Sequence, residues 1–362
     1  MQRKEENASL IDKSMTIMKT YLILLIAACQ SIAALAQDEK VPYMTRSLSG
    51  EAINSVTVRT SAGGIAVSGR AGQEPRIEVY IQGNNNQKLT KEEIKKRLDE
   101  DYDMNISVNG HELTAAVKNR HNFSNWRRQM SISFKIYVPQ AVSTDLHTSG
   151  GGISLDNLSG TETFSTSGGG LSIDKLTGTI HGRTSGGGIE VSNSGDDIDL
   201  HTSGGGIDAK NCNGKIQLVT SGGGLRLNNL NGNIYAHTSG GGVEGRSIKG
   251  ELVTSTSGGG IDLMDMNCSL DANTSAGDVR VEMKHIGKYL KLSASSGGVD
   301  LVLPLKQGLD LSIRGEHVNQ HPSSISNFSG DWSKNRISGS VNGGGIPVDV
   351  HASSGGVDIK FD

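Results

Sequence analysis

The pentapeptide Thr-Ser-Gly-Gly-Gly recurs through the middle of this 362-residue chain at a fixed spacing of 18 residues. Its seven copies begin at Thr148, Thr166, Thr184, Thr202, Thr220, Thr238 and Thr256. A degenerate eighth copy, which begins at Thr274, keeps the spacing. A short period sustained over so many copies is typical of a solenoid, in which each repeat forms one coil that packs on the next.

Each repeat alternates apolar and polar residues as a half-buried strand does. When the serine is counted as position 1, position 5 is apolar in all eight units, position 6 is polar, and position 7 is apolar in seven. Positions 10 and 14 are mostly apolar, position 12 is glycine in five units, and position 18 is mostly threonine. This pattern predicts short strands separated by glycine turns. Coils stacked about 4.8 Å apart would align the apolar positions into a narrow core and the threonines into a ladder.

Other architectures fit the repeat poorly. Three consecutive glycines would each cost a helix roughly 1 kcal/mol relative to alanine. Collagen requires glycine at every third position, and a flexible Gly/Ser linker would not hold apolar residues in fixed columns. The predicted fold is therefore all-β: a single-stranded, parallel, right-handed β-solenoid (a β-helix) with 18-residue coils.

The flanks of the repeats predict irregular capping coils. Residues 37–142 form the expected N-terminal β cap, in which Thr90 and Glu93 make a capping box at the start of one short inserted helix, at about 90–101. Within this cap, Asn109-Gly110 predicts a hairpin turn. Residues 143–300 form the repeat solenoid, and 301–362 form the C-terminal coils and cap. Caps are expected because the open end of a solenoid exposes unpaired strand edges.

The N-terminus predicts export. Residues 18–36 combine Lys19, an apolar run and a final Ala-Leu-Ala, which indicates a signal peptide cleaved before Gln37. Residues 1–17 contain three acids and are interpreted as a mis-assigned extension. Alternatively, the sequence Ile-Ala-Ala-Cys ending at Cys29 is a lipobox, and lipidation of Cys29 would be the chain's only contact with a membrane. The expected location is the periplasm, the outer membrane or the cell surface.

Charge and cysteine usage exclude other classes. The formal net charge of −3 gives no general attraction to nucleic acid, so no nucleic-acid partner is expected. After signal cleavage only Cys212 and Cys268 remain. They lie three coils apart, or roughly 14 Å, which is beyond the reach of a disulfide. Since Cys212 falls in an apolar column, we expect it to be a buried thiol.

The repeats contain no recognisable catalytic or metal-binding pattern. His147, His201 and His237 share position 17, but they lie two or three coils apart, roughly 10 to 14 Å, too far to share one zinc ion. We expect them on the surface. We therefore predict no catalytic residue, no metal, no cofactor and no enzymatic activity. A polysaccharide-active β-helix is the enzymatic alternative.

Position 6 forms the most ordered polar column. Two acids are followed by one arginine, and this pattern occurs twice: Glu190, Asp208, Arg226, Glu244, Asp262 and Arg280. We interpret this column as a solvated ion ladder that fixes the register of the coils. The alternative is a strip that binds a cation or a glycan.

Repeats and flanks together resemble a known family. The tandem Thr-Ser-Gly-Gly-Gly-Ile units, the segment Lys135-Ile136-Tyr137-Val138-Pro139 before them, and the closing Asn342-Gly343-Gly344-Gly345 and Ser354-Gly355-Gly356-Val357-Asp358-Ile359 carry the resemblance. They are similar to the bacterial β-strand-repeat "putative adhesin" family of unknown function, and in turn to the head domains of autotransporter-type adhesins. The resemblance covers about residues 45–362.

This resemblance implies a non-enzymatic cell-envelope protein that presents a repetitive surface to a glycan or protein ligand. Contacts would come from the outward positions 6, 15 and 17, or from the caps, which contain Trp126 and Trp332. The alternative is a structural or stress-response component of the envelope, periplasmic or lipid-anchored, with no external ligand.

Overall fold

The chain forms a parallel β-solenoid of about nine turns with coils of about 18 residues, which confirms the predicted fold class and period. The structure is a computed structural model that describes residues 41–84, 87–120, 128–320 and 327–362. The predicted extension and signal peptide, Cys29, Gln37 and Trp126 lie outside the described residues. Within those ranges, no helix is both long and apolar enough to cross a membrane.

The elements fall into three groups. The N-terminal group is β1 (Met44–Ser47), β2 (Ser55–Arg59), β3 (Ile65–Gly69), β4 (Arg76–Gly83), α1 (Lys91–Asp101), β5 (Tyr102–Asn109), β6 (Glu112–Asn119), β7 (Met130–Val138) and β8 (Ser143–His147). The repeat strands are β9 (Ile153–Asp156), β10 (Ser159–Thr166), β11 (Leu171–Asp174), β12 (Thr177–Thr184), β13 (Ile189–Ser192), β14 (Asp197–Thr202), β15 (Ile207–Lys210), β16 (Asn213–Thr220), β17 (Leu225–Asn228), β18 (Asn231–Thr238), β19 (Val243–Arg246), β20 (Lys249–Thr256), β21 (Ile261–Thr274) and β22 (Val279–Ala294). The C-terminal group is β23 (Val299–Leu303), β24 (Leu309–Arg314), β25 (Val318–Gln320), β26 (Phe328–Ser333), β27 (Arg336–Val341), β28 (Ile346–Ala352) and β29 (Val357–Phe361).

Each regular coil contributes one short and one long strand, and these stack into two ladders. The short strands, such as β11, pair in parallel with the short strands of the neighbouring coils and form the short-strand sheet. The long strands, such as β12, pair with one another in the same way and form the long-strand sheet. In β21 and β22 a single continuous strand passes through both ladders. Pairs are always 18 residues apart in the regular region, so equivalent positions lie directly above one another.

The two sheets bury their apolar columns in one continuous core. Positions 5 and 7 of the short strands and positions 14 and 16 of the long strands are buried in nearly every coil. Large and small residues compensate one another along a column: Phe164 is buried beneath Gly182, and a Cβ on that glycine would lie 2.4 Å from the phenylalanine ring. The core is therefore close-packed although the chain has few aromatic residues.

The recurring pentapeptide is a close backbone contact between coils. A Cβ on its middle glycine would lie only 2.0 Å from the carbonyl oxygen of the preceding coil's middle glycine, as at Gly169 over Gly151. The threonine that begins the pentapeptide is buried, and its hydroxyl group forms hydrogen bonds with the backbone of both coils. Thr166 Oγ1 donates to the Gly151 carbonyl at 2.7 Å and accepts the Gly169 N–H at 3.3 Å. The predicted threonine ladder is thus a row of hydrogen bonds between consecutive coils.

A second corner of the coil, at position 9, lies in the left-handed region of backbone space. The residues there have φ between 50° and 57°: Asn157, Lys175, Asn193, Asn211, Asn229, Ser247 and Asp265. Asparagine tolerates this conformation better than most residues. Its side-chain amide also forms hydrogen bonds with the asparagine of the neighbouring coil. Asn229 Nδ2 donates to Asn211 Oδ1 at 2.8 Å, and Asn211 Nδ2 donates to Asn193 Oδ1 at 3.1 Å. The sequence analysis missed this corner and placed the turn only at the position-12 glycines.

Antiparallel strands close the two ends. At the N-terminal end, β1, β4 and β7 extend the short-strand sheet, and the β5–β6 hairpin extends the long-strand sheet. The inserted helix α1 begins after Thr90, whose hydroxyl accepts the Glu93 N–H at 3.2 Å. At the C-terminal end, β24, β27 and β26 form an antiparallel edge of the long-strand sheet. The 18-residue period slips after Thr274, and the longer coil that follows produces register shifts between β21 and β22.

Candidate functional site

The outward face of the short-strand sheet carries the position-6 column and behaves as a solvated ladder. Arg226 Nε lies 3.4 Å from Glu244 Oε2, and Arg280 Nε lies 3.3 Å from Asp300 Oδ2. The side chains of the first pair are 72% and 70% exposed. Ion pairs so exposed to water contribute little to the free energy of folding.

The outward face of the long-strand sheet, at positions 15 and 17, is richer in chemistry. We call it the long-strand face. Half of the ten histidines of the chain lie on it: His147, His181, His201, His237 and His351. The rings of His147, His201 and His237 form hydrogen bonds with neighbours on the same face, as between His201 Nε2 and Asp199 Oδ1 at 2.6 Å and between His237 Nδ1 and Ser255 Oγ at 2.8 Å.

The structure groups these histidines differently from the sequence analysis. The three at position 17 remain separate, whereas His181 at position 15 lies 3.6 Å from Asp199, which also binds His201. Over the described ranges, no three His, Cys, Asp or Glu side chains are arranged to hold a metal ion. His181 was overlooked because only the position-17 column was compared, and the position-15 column would have revealed it.

One hydroxyl–imidazole–carboxylate row lies near the N-terminal end of this face. His147 Nδ1 lies 2.5 Å from Ser165 Oγ, and His147 Nε2 lies 2.9 Å from Asp145. Burial has the largest single effect and acts to raise the pKa of Asp145, but the hydrogen bonds and charges of Arg59 and His147 together outweigh it and hold the pKa below its usual value. A serine nucleophile also needs donors for an oxyanion. The backbone of these strands is instead paired in the parallel ladder, so the row orients the imidazole without such donors.

A buried carboxyl group interrupts the core behind this row. Glu162 occupies position 14, where the following coils have isoleucine or leucine, and its side chain has no solvent exposure. Thr144 Oγ1 donates to its Oε2, while Oε1 has no hydrogen-bond partner among the described residues. Burial raises the pKa of Glu162 to about 7, although the Thr144 hydrogen bond acts in the opposite direction. The sequence analysis did not single out this residue.

Towards the C-terminal end, the long-strand face forms a shallow polar cavity of about 400 Å³. We call it the trough. It is lined by Asp271, Asn273, Lys291, Leu292, Ser293, Ser312, Arg314, Asp349, Val350 and His351. Its polar side chains come from four neighbouring strands, β21, β22, β28 and β24, in two rows at positions 15 and 17. Because rigid strands hold them, these groups are fixed in position relative to one another.

The charged groups of the trough are only partly satisfied within the protein. Asp271 Oδ1 accepts from Asn273 Nδ2 at 2.6 Å, and the Lys291 ammonium lies 5.5 Å from the centre of the Tyr289 ring. Arg314 and Asp349 form no ion pair and no side-chain hydrogen bond with any described residue. Both are exposed, so their hydrogen-bonding capacity is available to a ligand.

Of the two tryptophans expected to make contacts in the caps, Trp332 lies within the described residues. Trp332 lies on the edge strand β26, is 40% exposed, and packs edge-to-face on Phe328 with ring centres 5.8 Å apart. It pairs in register with the buried Ile337, so it covers the end of the core and lies on the opposite side of the strand from the long-strand face. Tyr235 is the large aromatic residue most exposed on the long-strand face itself, at 44%.

Comparison with known proteins identifies the family. The profile described as Toastrack DUF4097 matches residues 53–360, and the chain belongs to this family. No curated protein matches the sequence.

Three solved structures are similar over 88% of this chain. They are a putative cell adhesion protein from Clostridium sporogenes ATCC 15579 (12% identity, 98% of that chain, TM-score 0.19), a putative adhesin from Bacteroides fragilis NCTC 9343 (12%, 96%, 0.22) and a "putative lipid binding protein" from Parabacteroides distasonis ATCC 8503 (13%, 96%, 0.30).

Proposed function

We propose that the protein is an exported, non-enzymatic component of the bacterial cell envelope that binds a glycan or protein ligand through the long-strand face. The observation that carries this proposal is the trough, which gathers charged and hydroxyl groups from four strands and leaves Arg314 and Asp349 without an ion-pair or side-chain hydrogen-bond partner among the described residues. An unpaired charge with fixed geometry costs little in water and becomes useful once a ligand supplies its partner. The signal peptide predicted at residues 18–36 supports export to the place where such a ligand is found.

The first test concerns location. Protease shaving of intact cells, followed by mass spectrometry of the mature N-terminus, distinguishes surface display from periplasmic retention. We expect peptides from the surface and an N-terminus at Gln37 or at lipidated Cys29. Complete protection from protease would contradict the adhesin-like role and favour a periplasmic structural or stress-response component.

The second test concerns binding. The purified mature chain is applied to arrays of bacterial and host glycans and of envelope proteins, together with the variant Asp349→Asn/His351→Gln. We expect at least one ligand to be retained by the wild-type chain and weakened about tenfold or more in the variant. The control is Asp208→Asn/Asp262→Asn on the short-strand face, which removes one exposed and one half-buried carboxylate from the outward face of the other sheet. Equal loss in both variants, or no ligand on either array, would overturn the proposal.

A further inference from the structure

Two arginines lie directly opposite each other beside the trough. Arg314 at the end of β24 pairs in register with Arg336 at the start of β27, in an antiparallel ladder. Directly opposite residues in such a ladder point to the same face with Cβ atoms about 4.5 to 5.5 Å apart, and like charges placed there repel each other. Both arginines are exposed, and neither forms an ion pair or a side-chain hydrogen bond with a described residue. The pair is therefore an uncompensated positive centre on a chain whose net charge is negative.

The residues next to Arg314 add polar groups that can form hydrogen bonds at this end of the trough. His351 lies beside Arg314 on the adjoining strand β28, with Ser293 beyond it on β22. A carboxylate between the two guanidinium groups would relieve their repulsion and could accept two parallel hydrogen bonds from either one.

The rest of the trough has a different chemistry. Asp271 and Asp349 at position 15 provide strong acceptors, while Asn273, Ser293 and Ser312 provide both donors and acceptors. Such a surface suits the hydroxyl groups of a sugar. Its two carboxylates flank Lys291 and offset the charges of Lys291 and Arg314, so the trough has no surplus positive charge for a densely charged polyanion. A ligand with one acidic group per sugar therefore fits better than a sulfated or phosphorylated one. The volume of about 400 Å³ is within the usual range for small-molecule sites.

We propose that Arg314 and Arg336 bind the carboxylate of an acidic oligosaccharide whose hydroxyl groups lie in the trough. This inference rests on the proposed function and specifies its ligand class. Arg314 also lines the trough itself, so one side chain connects the two parts of the site.

The test uses oligosaccharides of galacturonate, glucuronate and sialic acid, each beside its methyl ester, which removes the charge and keeps the sugar. Binding of the mature chain is measured by calorimetry. We expect at least one acid to bind at least tenfold tighter than its ester, and the double variant Arg314→Gln/Arg336→Gln to lose that preference. The matched control is Arg226→Gln/Arg280→Gln, which removes two exposed arginines from the short-strand face and should change affinity less than twofold.

The outcomes separate this inference from the function it rests on. If every ester binds as tightly as its acid while Asp349→Asn/His351→Gln still weakens binding, the long-strand face binds a neutral glycan and the arginine pair has no part in it. If both arginine variants weaken binding equally, the effect is one of net charge and the inference is wrong. Vesicles of anionic phospholipid serve as a further probe. If the arginine pair is required for vesicle binding and no acidic sugar binds, the inference is overturned in favour of a lipid headgroup.

Discussion

Thr144 donates its hydroxyl hydrogen to Oε2 of Glu162 one coil further along, inside a core column that continues as Ile180 and Ile198. The contact satisfies one carboxyl oxygen and leaves the other, Oε1, without a partner among the described residues. A buried carboxyl in this situation favours its neutral form, because ionisation would leave a charge in a low-dielectric core. Glu162 therefore links the stability of the solenoid to pH.

The first prediction concerns that linkage. The pKa of Glu162 is about 7 in the folded chain against 4.5 for the free side chain, so the folded state binds the proton more tightly. The contribution of Glu162 to the free energy of unfolding is therefore complete below about pH 4.5, and it is lost as the pH rises through 7. The total loss is about 3 kcal/mol at 1.36 kcal/mol per pKa unit. We expect urea unfolding of Glu162→Gln to lack this decline, so the variant gains on the wild type between pH 5 and pH 8.

Glu190→Gln, at an exposed position, is the control for this experiment. It should follow the wild-type profile. If Glu162→Gln and the wild type keep parallel profiles from pH 5 to pH 8, Glu162 is ionised in the folded chain and the linkage does not exist.

The second prediction concerns the threonine row. Thr202 Oγ1 donates to the Gly187 carbonyl at 2.7 Å and accepts the Gly205 N–H at 3.3 Å. Thr202→Val keeps the shape and removes both bonds, which leaves buried groups unsatisfied, so we expect a loss of about 1 to 3 kcal/mol in the free energy of unfolding. Thr163→Val, at an exposed position of a long strand, should change it by less than about 0.5 kcal/mol. Chemical denaturation measures both, and equal effects would show that the hydroxyl row adds nothing specific.

The third prediction separates two neighbouring glycines of one pentapeptide. A Cβ at Gly169 would lie 2.0 Å from the Gly151 carbonyl oxygen, whereas a Cβ at Gly168 would lie 3.6 Å from the Ser149 carbonyl oxygen. Gly169→Ala must push two stacked coils apart, because the added Cβ is attached rigidly to one backbone and the carbonyl oxygen belongs to the other. We expect it to cost more than about 3 kcal/mol and to lower the melting temperature sharply, while Gly168→Ala stays within about 1 kcal/mol of the wild type. Similar melting temperatures for the two variants would contradict the close approach of the coils.

The regular part of the fold could be predicted from sequence because each position of the repeat has the same environment in all eight units, so the same kind of residue recurs there. Apolar residues at positions 5 and 14 must face the core, and the threonine before the glycines must lie at the same corner in every coil. The left-handed corner at position 9 could also have been predicted from the sequence, since asparagine occupies it at Asn157, Asn193, Asn211 and Asn229. The lysine, serine and aspartate at the other coils hid that signal.

The trough could not be predicted in the same way. It joins Asp271, Arg314 and His351, which come from strands β21, β24 and β28, on either side of the point where the 18-residue period slips. Strand β28 is inserted between β22 and β24, so chain order no longer gives neighbour order. The opposition of Arg314 and Arg336 depends further on an antiparallel hairpin whose register the repeat does not determine.

The fourth prediction concerns the two thiols of the mature chain. Cys212 and Cys268 are free and buried, and burial raises the pKa of the Cys268 thiol to about 12 and raises that of Cys212 above its usual value. Since the thiolate is the reactive form, iodoacetamide at pH 8 should leave both unmodified in the folded protein and alkylate both after unfolding in guanidinium chloride. Mass spectrometry of the intact chain counts the adducts, and a surface substitution such as Ser172→Cys provides an accessible thiol as the positive control. Rapid labelling of Cys268 in the folded wild type would mean that the coils around β21 open far more readily than their continuous ladder implies.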